Sequence, residues 1–240
     1  MNKIIFEKTN TMGEMSNFIE PPAPCSTFIP DWYKDMPLYL PGENKPGLAP
    51  NNNKASNLTM KGCTPFLDAL TQGYMFYLSA DIEVRKSSEG VTFRWRPEGN
   101  FVTEHTPDQH PGLPSPVGGG NFVLKWSFPF SITTPKGYSC FFTHPVNRDD
   151  LPFRTLSGVV DTDNYHLPVQ YPFHYISDIE GTSIIKKGTP LCQIIPFKRD
   201  NWKMETIEYD KQRHNKRRFE HSREIIRSYK NQYWERKRFV

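Results

Sequence analysis

The chain has 240 residues, with 30 Lys and Arg against 26 Asp and Glu, and 22 prolines. That length buries a sizeable core, and so much proline excludes a mainly helical protein, because each ring removes a backbone donor and blocks helix interiors. No stretch approaches the roughly 20 apolar residues of a membrane span, and MNKIIFEKTNTMGEM at the start lacks the apolar core of a secretory signal.

A soluble protein of the cell or host cytoplasm, or of a particle assembled there, is expected. Seventeen Phe, 11 Tyr and 5 Trp place much apolar area in few side chains, which suits a mainly-β fold. Cys25, Cys63, Cys140 and Cys192 lie far apart. Zinc ribbons and redox dithiols need close-spaced thiols, so all four are expected to be reduced.

Residues 1–57 read as an extended arm. Pro21-Pro22-Ala23-Pro24 and the loop Pro41 to Lys54 sustain neither helix nor central strand. Between them CSTFIPDWYKDMPLYL carries Phe28, Trp32 and Tyr33, which must cover their own domain or a neighbouring subunit. Thr64 to Gln72 is a short helix, with Thr64 as cap, Pro65 at its first position and Gly73 past its end. From Tyr74 the pattern becomes a hairpin, turning at Lys86–Gly90. Its second arm alternates Val91, Phe93 and Trp95 with Thr92, Arg94 and Arg96, giving a buried and a wet face. Residues 98–121 read as a long Pro/Gly-rich loop. Phe122 to Thr134 and Gly137 to Thr143 read as a second hairpin, and residues 144–154 as a polar connector.

The stretch from Gly158 to Pro196 organises the rest. An apolar run to Val160 stops at the turn Asp161-Thr162-Asp163-Asn164-Tyr165. A second run covers Leu167 to Ile176, and the turn Lys187-Gly188-Thr189-Pro190 leads into a strand from Leu191 to Phe197. Val160 and Ile194 are expected in neighbouring strands of one sheet.

Gly158-Val159-Val160-Asp161 with Asp163 and Tyr165 resembles the third conserved motif of the dUTPase family. IKKGTPLCQII, Ile185 to Ile195, resembles its fourth. No Pro-Arg-Ser-Gly element precedes Gly158, Asn164 is inserted before the tyrosine, and no glycine-rich tail ends the chain. The resemblance therefore implies a β-clip-like scaffold more than a reaction. TPFLDALTQGY and THPVNRDDLPF are also similar to a family of like-sized proteins of tailed-phage and bacterial genomes, which brings no activity with it. Carried over to function, the dUTPase resemblance implies Asp161 as the base that activates water and Tyr165 as the ring beneath a deoxyribose. It implies Gln193 as a polar contact near the phosphates, with Asp163 on the same turn and Mg²⁺ as cofactor. Arg148 and Arg154 are the nearest cations for a nucleotide's phosphates. The plainer alternative is an Asx turn, in which both aspartates satisfy backbone donors and Tyr165 packs.

Two further constellations stand out. His105, Asp108 and His110 in HTPDQHPG hold the ligand types of a non-haem iron oxygenase, with His144 and Asp149 as further donors, but in a proline-bearing loop rather than on strands. From Phe197 onward 14 Lys and Arg face 7 Asp and Glu, a balance of +7, while the preceding residues hold 16 against 19, a balance of −3. Lys211 to Arg238 reads as one helix, with Phe219, Ile226, Tyr229 and Tyr233 as a narrow apolar stripe, Glu220 and Glu224 on its acidic side, and Lys216-Arg217-Arg218, Arg223 and Arg227 among the cations that could track phosphates. It suits docking in an assembly, a solvated face, or nucleic acid through residues 211–238. Gly118-Gly119-Gly120 lacks the Lys-Ser/Thr of a phosphate cradle.

The expected architecture is a mainly-β, β-clip-like barrel or sandwich at 58–209, with the arm 1–57 and a basic C-terminal helix at 210–240. The leading functional expectation is a non-catalytic phage-type structural or binding protein that self-associates or docks other particle proteins. The alternatives are a dUTPase-like nucleotide binder or hydrolase and a metal-dependent oxygenase, so the sequence leaves open whether the chain is an enzyme.

Overall fold

A computed structural model describes residues 2–49, 52–88, 90–95, 101–114, 123–222 and 229–240. In chain order the strands are β1 (Ile5–Lys8), β2 (Ala23–Pro24), β3 (Leu48–Ala49), β4 (Asn52–Ser56), β5 (Tyr74–Tyr77), β6 (Ile82–Ser87), β7 (Gly90–Trp95) and β8 (Val102–His105). They continue as β9 (Val123–Trp126), β10 (Phe130–Thr133), β11 (Tyr138–Thr143), β12 (Phe153–Thr155), β13 (Gly158–Val160), β14 (Tyr171–Tyr175), β15 (Gly181–Ile185) and β16 (Pro190–Lys198). The helices are α1 (Asp31–Asp35), α2 (Thr64–Thr71) and α3 (Lys211–Ser222). The fold is mainly β, and no sheet closes into a barrel among the described residues.

The chain divides into two compact units, Met1–Phe28 with Gly73–Arg199 and Val240, and Ile29–Gln72 with Asp200–Phe239. The stretch read as one arm is thus shared between them. In the first unit, β13-β11-β16-β5-β2 form a five-stranded antiparallel sheet and β12-β14-β9-β8 a four-stranded one. Their facing aromatics interdigitate. Tyr171 of β14 lies 5.2 Å from Phe76 of β5 and 5.4 Å from Phe142 of β11, ring to ring. Trp126 stacks on Phe173 at 3.9 Å with planes 5° apart. All of these rings are buried, which is where so aromatic a composition finds its stabilisation. Burial without compensation pushes the Tyr171 phenol well above its ordinary range.

β6 and β7 form a hairpin, with Val84 opposite Phe93 while Thr92 and Arg94 face water. Its bounds are corrected: Tyr74–Tyr77 is a separate strand, β5, in the five-stranded sheet, and Lys86 and Gly90 belong to the paired strands. Its partner on the other edge is β15, a strand the residue pattern did not resolve. Two other expectations are corrected. Phe122–Thr134 and Gly137–Thr143 do not pair with each other: β9 joins β8 and β14, β10 joins β1, and β11 lies between β13 and β16. Val160 and Ile194 share a sheet but are not neighbours, because β11 runs between their strands with Cys140 opposite Val160 and Phe142 opposite Ile194. Part of the long loop is ordered too, since β8 pairs with β9 and Phe101 is buried. Arg96, Phe122 and Gly118-Gly119-Gly120 lie outside the described residues.

In the second unit, α2 begins at Thr64, with Pro65 in its first turn, and Cys63 rather than Thr64 occupies the cap position. Tyr33 of α1 stacks on Phe66 of α2 at 5.9 Å. The stretch Pro41 to Lys54, read as a loop, instead carries β3 and the start of β4, which pair antiparallel. Asn57 braces it, being fully buried, accepting from the Gly47 amide at 2.9 Å and donating to the Lys45 carbonyl at 2.9 Å. The C-terminal segment is not one helix to Arg238. Lys211–Ser222 is α-helical, Tyr229–Tyr233 forms a π turn, and the chain is irregular from Trp234 onward. Trp234 Nε1 and Lys237 Nζ both donate to Asp68 of α2 at 2.9 Å, so tertiary bonds compete with helix continuation there. Phe219, Tyr229 and Tyr233 are exposed, so that stripe is not buried; Arg223, Glu224, Ile226 and Arg227 lie outside the described residues.

Gly73 joins α2 to β5 with φ +80°, and a Cβ there would fall 2.0 Å from the Ile194 carbonyl oxygen. Gly188 has a similar φ of +82° with open space around it. Gly188→Ala should therefore cost only the left-handed strain, about 1–3 kcal/mol, while Gly73→Ala should cost clearly more because β16 must also move. Urea unfolding midpoints of the two variants check this; equal losses would show that β16 is not held against Gly73.

Candidate functional site

The turn after β13 is built by its own backbone. Asn164 N and Tyr165 N both donate to the Asp161 carbonyl, at 3.0 and 2.9 Å. Thr162 points inward, fully buried, and shares a 2.7 Å hydrogen bond with Thr134. With Thr162 anchored, Asp161 and Asp163 fall on either side of it.

Asp163 is covered, with its side chain 3% exposed, and accepts from the Gly137 amide at 2.7 Å. Arg199, the first residue after β16, forks onto both Asp163 oxygens, and the same guanidinium donates to the Tyr138 carbonyl and Ser139 Oγ at 2.9 Å each. The Arg199 fork, aided by the Gly137 amide, holds the Asp163 carboxyl down to about 2. Asp161 is 59% exposed, accepts from Ser139 Oγ at 2.6 Å and lies 3.2 Å from Arg199. Asp163 thus belongs to a structural clamp, whereas Asp161 keeps one edge to solvent.

That edge lines a cleft of about 1240 Å³. Val159, Val160, Asp161 and Tyr165 form one side with Leu167–Gln170, facing Thr11, Met12, Glu14 and Met15 of the N-terminal segment. Thr103, Ser127 and Phe128 complete the lining. Among the described residues it holds two carboxylates and no lysine or arginine. Its rim is apolar and wet: Val159 is 60% exposed, Leu167 64% and Tyr165 42%. Among the described residues β13 is the outermost strand of its sheet, paired with β11 on one side.

The structure brings Asp161 and Tyr165 together at this cleft and leaves the other candidates elsewhere. Gln193 is fully buried in β16, where its Oε1 accepts from the Val146 amide at 3.0 Å. Arg148 forks onto Asp150 at 2.8 and 2.9 Å, and Arg154 reaches Asp149 at 3.1 Å. None of these three lines the cleft. His105 Nδ1 lies 3.1 Å from Gln109 Oε1, and no cluster of three His, Cys, Asp or Glu suited to a metal occurs among the described residues, which include His105, Asp108 and His110. His144 bonds the Arg148 carbonyl through Nε2 and accepts the Thr155 amide at Nδ1; burial holds its basicity below the ordinary value.

Arg199, Ser139 and Glu14 were not singled out by the residue pattern. Arg199 is the first cation past the last strand, but nothing local signals a carboxylate 36 positions earlier.

No family model and no curated protein matches the chain. Among solved structures it is similar to dUTPases of phages. One is a mutant dUTPase from phage phi11 of S. aureus, described as coordinating a structural Mg(II) ion, with 12% identity, 57% of this chain and 83% of that chain covered, and a TM-score of 0.31. Two others are mutants of the Staphylococcus bacteriophage 80alpha dUTPase. One, with dUpNHpp, has 10% identity, 73% and 88% coverage and a TM-score of 0.31. The other has 9% identity, 73% and 96% coverage and a TM-score of 0.32. No described helix is long and apolar enough to cross a membrane.

The Asp163 carboxyl is depressed in the folded state, so its contribution to stability is complete above the unfolded carboxylate value of about 3.9 and is lost as pH falls through about 2. Arg199→Met should lower the melting temperature most at neutral pH, and the gap to the parent protein should narrow across that acid window. Thermal unfolding followed over pH checks it; a gap that stays constant would mean that the pair does not hold the turn.

Proposed function

We propose that the chain acts by association, as a non-catalytic binding protein whose first partners are further copies of itself. The observation that carries this reading is the segment following Arg199. Residues 200–210 have no regular structure and are exposed throughout, with Trp202 at 91%, Met204 at 90%, Tyr209 at 70% and Ile207 at 59%. Burying side chains of this size is worth about 1.5–3 kcal/mol each. An exposed run of four is therefore costly in a lone chain and well suited to an interface, where aromatic and methionine side chains form the anchors. The wet apolar rim of the cleft and the unpaired edge of β13 offer a receiving surface on a second copy. An extended segment adding to an open strand edge is a recurring mode of docking.

A second reading is favoured by one observation, the shared placement of Asp161 and Tyr165 on the cleft. It makes the cleft a nucleotide site with Asp161 as base, Tyr165 as stacking ring and Mg²⁺ at the phosphates. Asp163 is taken up by Arg199 in that arrangement, and a triphosphate would face Glu14 and Asp161 in a cleft whose described lining has no lysine or arginine. A general base needs its water within hydrogen-bond reach, and the solvent edge of Asp161 supplies that.

Light scattering of the purified chain at micromolar concentration should give a mass above the monomer. Trp202→Ala with Met204→Ala should raise the dissociation constant by at least about tenfold, which is 1.4 kcal/mol. A monodisperse monomer in both proteins removes the association reading. For the second reading, a deoxynucleotide with Mg²⁺ should stabilise the native protein by about 2.7 kcal/mol at one hundred times its dissociation constant, and Asp161→Asn should change that shift. A panel of deoxynucleotides without effect on the melting temperature disposes of it.

A further inference from the structure

Helix α3 is exposed along its whole described surface, residues 211–220. Over Lys211–Ser222 it carries Lys211, Arg213, Lys216, Arg217 and Arg218 against the single carboxylate Glu220. Asp210 starts the helix by accepting from the Arg213 amide at 3.0 Å, and its other oxygen lies 3.5 Å from the Arg213 guanidinium. Lys211, Lys216, Arg217 and Arg218 pair with no described residue.

At about 100° per residue, Lys211 and Arg218 share one face, Arg213 and Arg217 a second, and Lys216 a third. The cations therefore surround the axis. A helix that docks into a protein groove does so with an apolar stripe, and Phe219 is the only large apolar side chain in α3. A groove-binding role is thus poorly served. The arrangement is also self-opposing when alone. Twelve residues are marginal for an isolated helix, Lys211 and Arg213 sit at the positive end of the dipole, and residues 216–218 crowd three like charges. An array of phosphates relieves all three costs together, and cations on every side suit it because backbone contacts need no single face. The charge is local, since residues 1–196 carry a balance of −3, so this is a property of the tail and not of the whole chain.

We infer that α3 binds the phosphate backbone of nucleic acid without reading its sequence. This stands apart from the association reading, which uses residues 200–210 and the cleft.

The test uses the full chain with short fluorescent oligonucleotides, one duplex and one single-stranded, read by anisotropy as salt rises from about 50 to about 200 mM. Binding should weaken linearly on logarithmic axes, and far-ultraviolet dichroism should show added helix on binding. Replacing Lys216→Gln, Arg217→Gln and Arg218→Gln together should reduce the duplex salt slope by about 2.7, at about 0.9 per lost contact. Because those side chains are exposed, the melting temperature should stay at the parent value; if it falls, Lys211→Gln with Arg213→Gln supplies an independent pair with an expected slope change of about 1.8. No binding at the lowest salt, or an unchanged slope in both variants, overturns the inference. Equal affinity for polyglutamate of the same length also overturns it, and assigns α3 to an acidic protein partner.

Discussion

Aromatic packing between the two large sheets is the constraint on which the first unit depends. Tyr171 reaches across to Phe76 and Phe142, while Trp126 lies flat on Phe173 within its own sheet. Burial of these rings fixes β16 between β11 and β5. The end of β16 in turn sets where Arg199 leaves the sheet. From there one guanidinium reaches Asp163, the Tyr138 carbonyl and Ser139, and the turn that presents Asp161 is held. A core assembled from bulky rings has few alternative packings, because a displaced ring opens a void that its neighbours cannot fill.

The two aspartates of one turn have opposite fates for a simple reason. Both lie against Arg199, but the guanidinium forks onto Asp163 and covers it, while Asp161, 3.2 Å away, stays 59% exposed. Asp163 loses its solvent; Asp161, although bonded by Ser139 Oγ, keeps an edge to the cleft. Spacing alone marks the pair as equivalent, and the equivalence is broken only by a residue that the fold brings in from β16. The same contact gives Asp163 a structural role, since that carboxylate also accepts from the Gly137 amide.

Several features were legible in the residues. Proline content and aromatic count indicate a β fold, the alternation of Val91, Phe93 and Trp95 marks a strand with one wet face, and Pro65 and Gly73 bracket a helix. These are local signals, set by backbone sterics and by the two-residue or 3.6-residue period of side chains. Strand partnership was not legible. β10 and β11 are separated by a tight turn, which favours a hairpin, yet β10 pairs with β1 and β11 with β13 and β16. Helix length was equally opaque, since the bonds from Trp234 and Lys237 to Asp68 join positions 166 and 169 apart.

By itself, then, the sequence determined the class of fold, the periods of its strands, the carboxylate turn and the concentration of positive charge after residue 197, because each depends on residues near one another in the chain. Tertiary structure alone decided which strands adjoin, that Gln193 is buried and that Arg148 and Arg154 are spent on neighbouring aspartates. It likewise decided that Arg199 closes on Asp163 and that Trp202 and Met204 stand in water. Those outcomes rest on burial and on pairings between distant positions, and no local pattern encodes which of several chemically equal partners a side chain will meet.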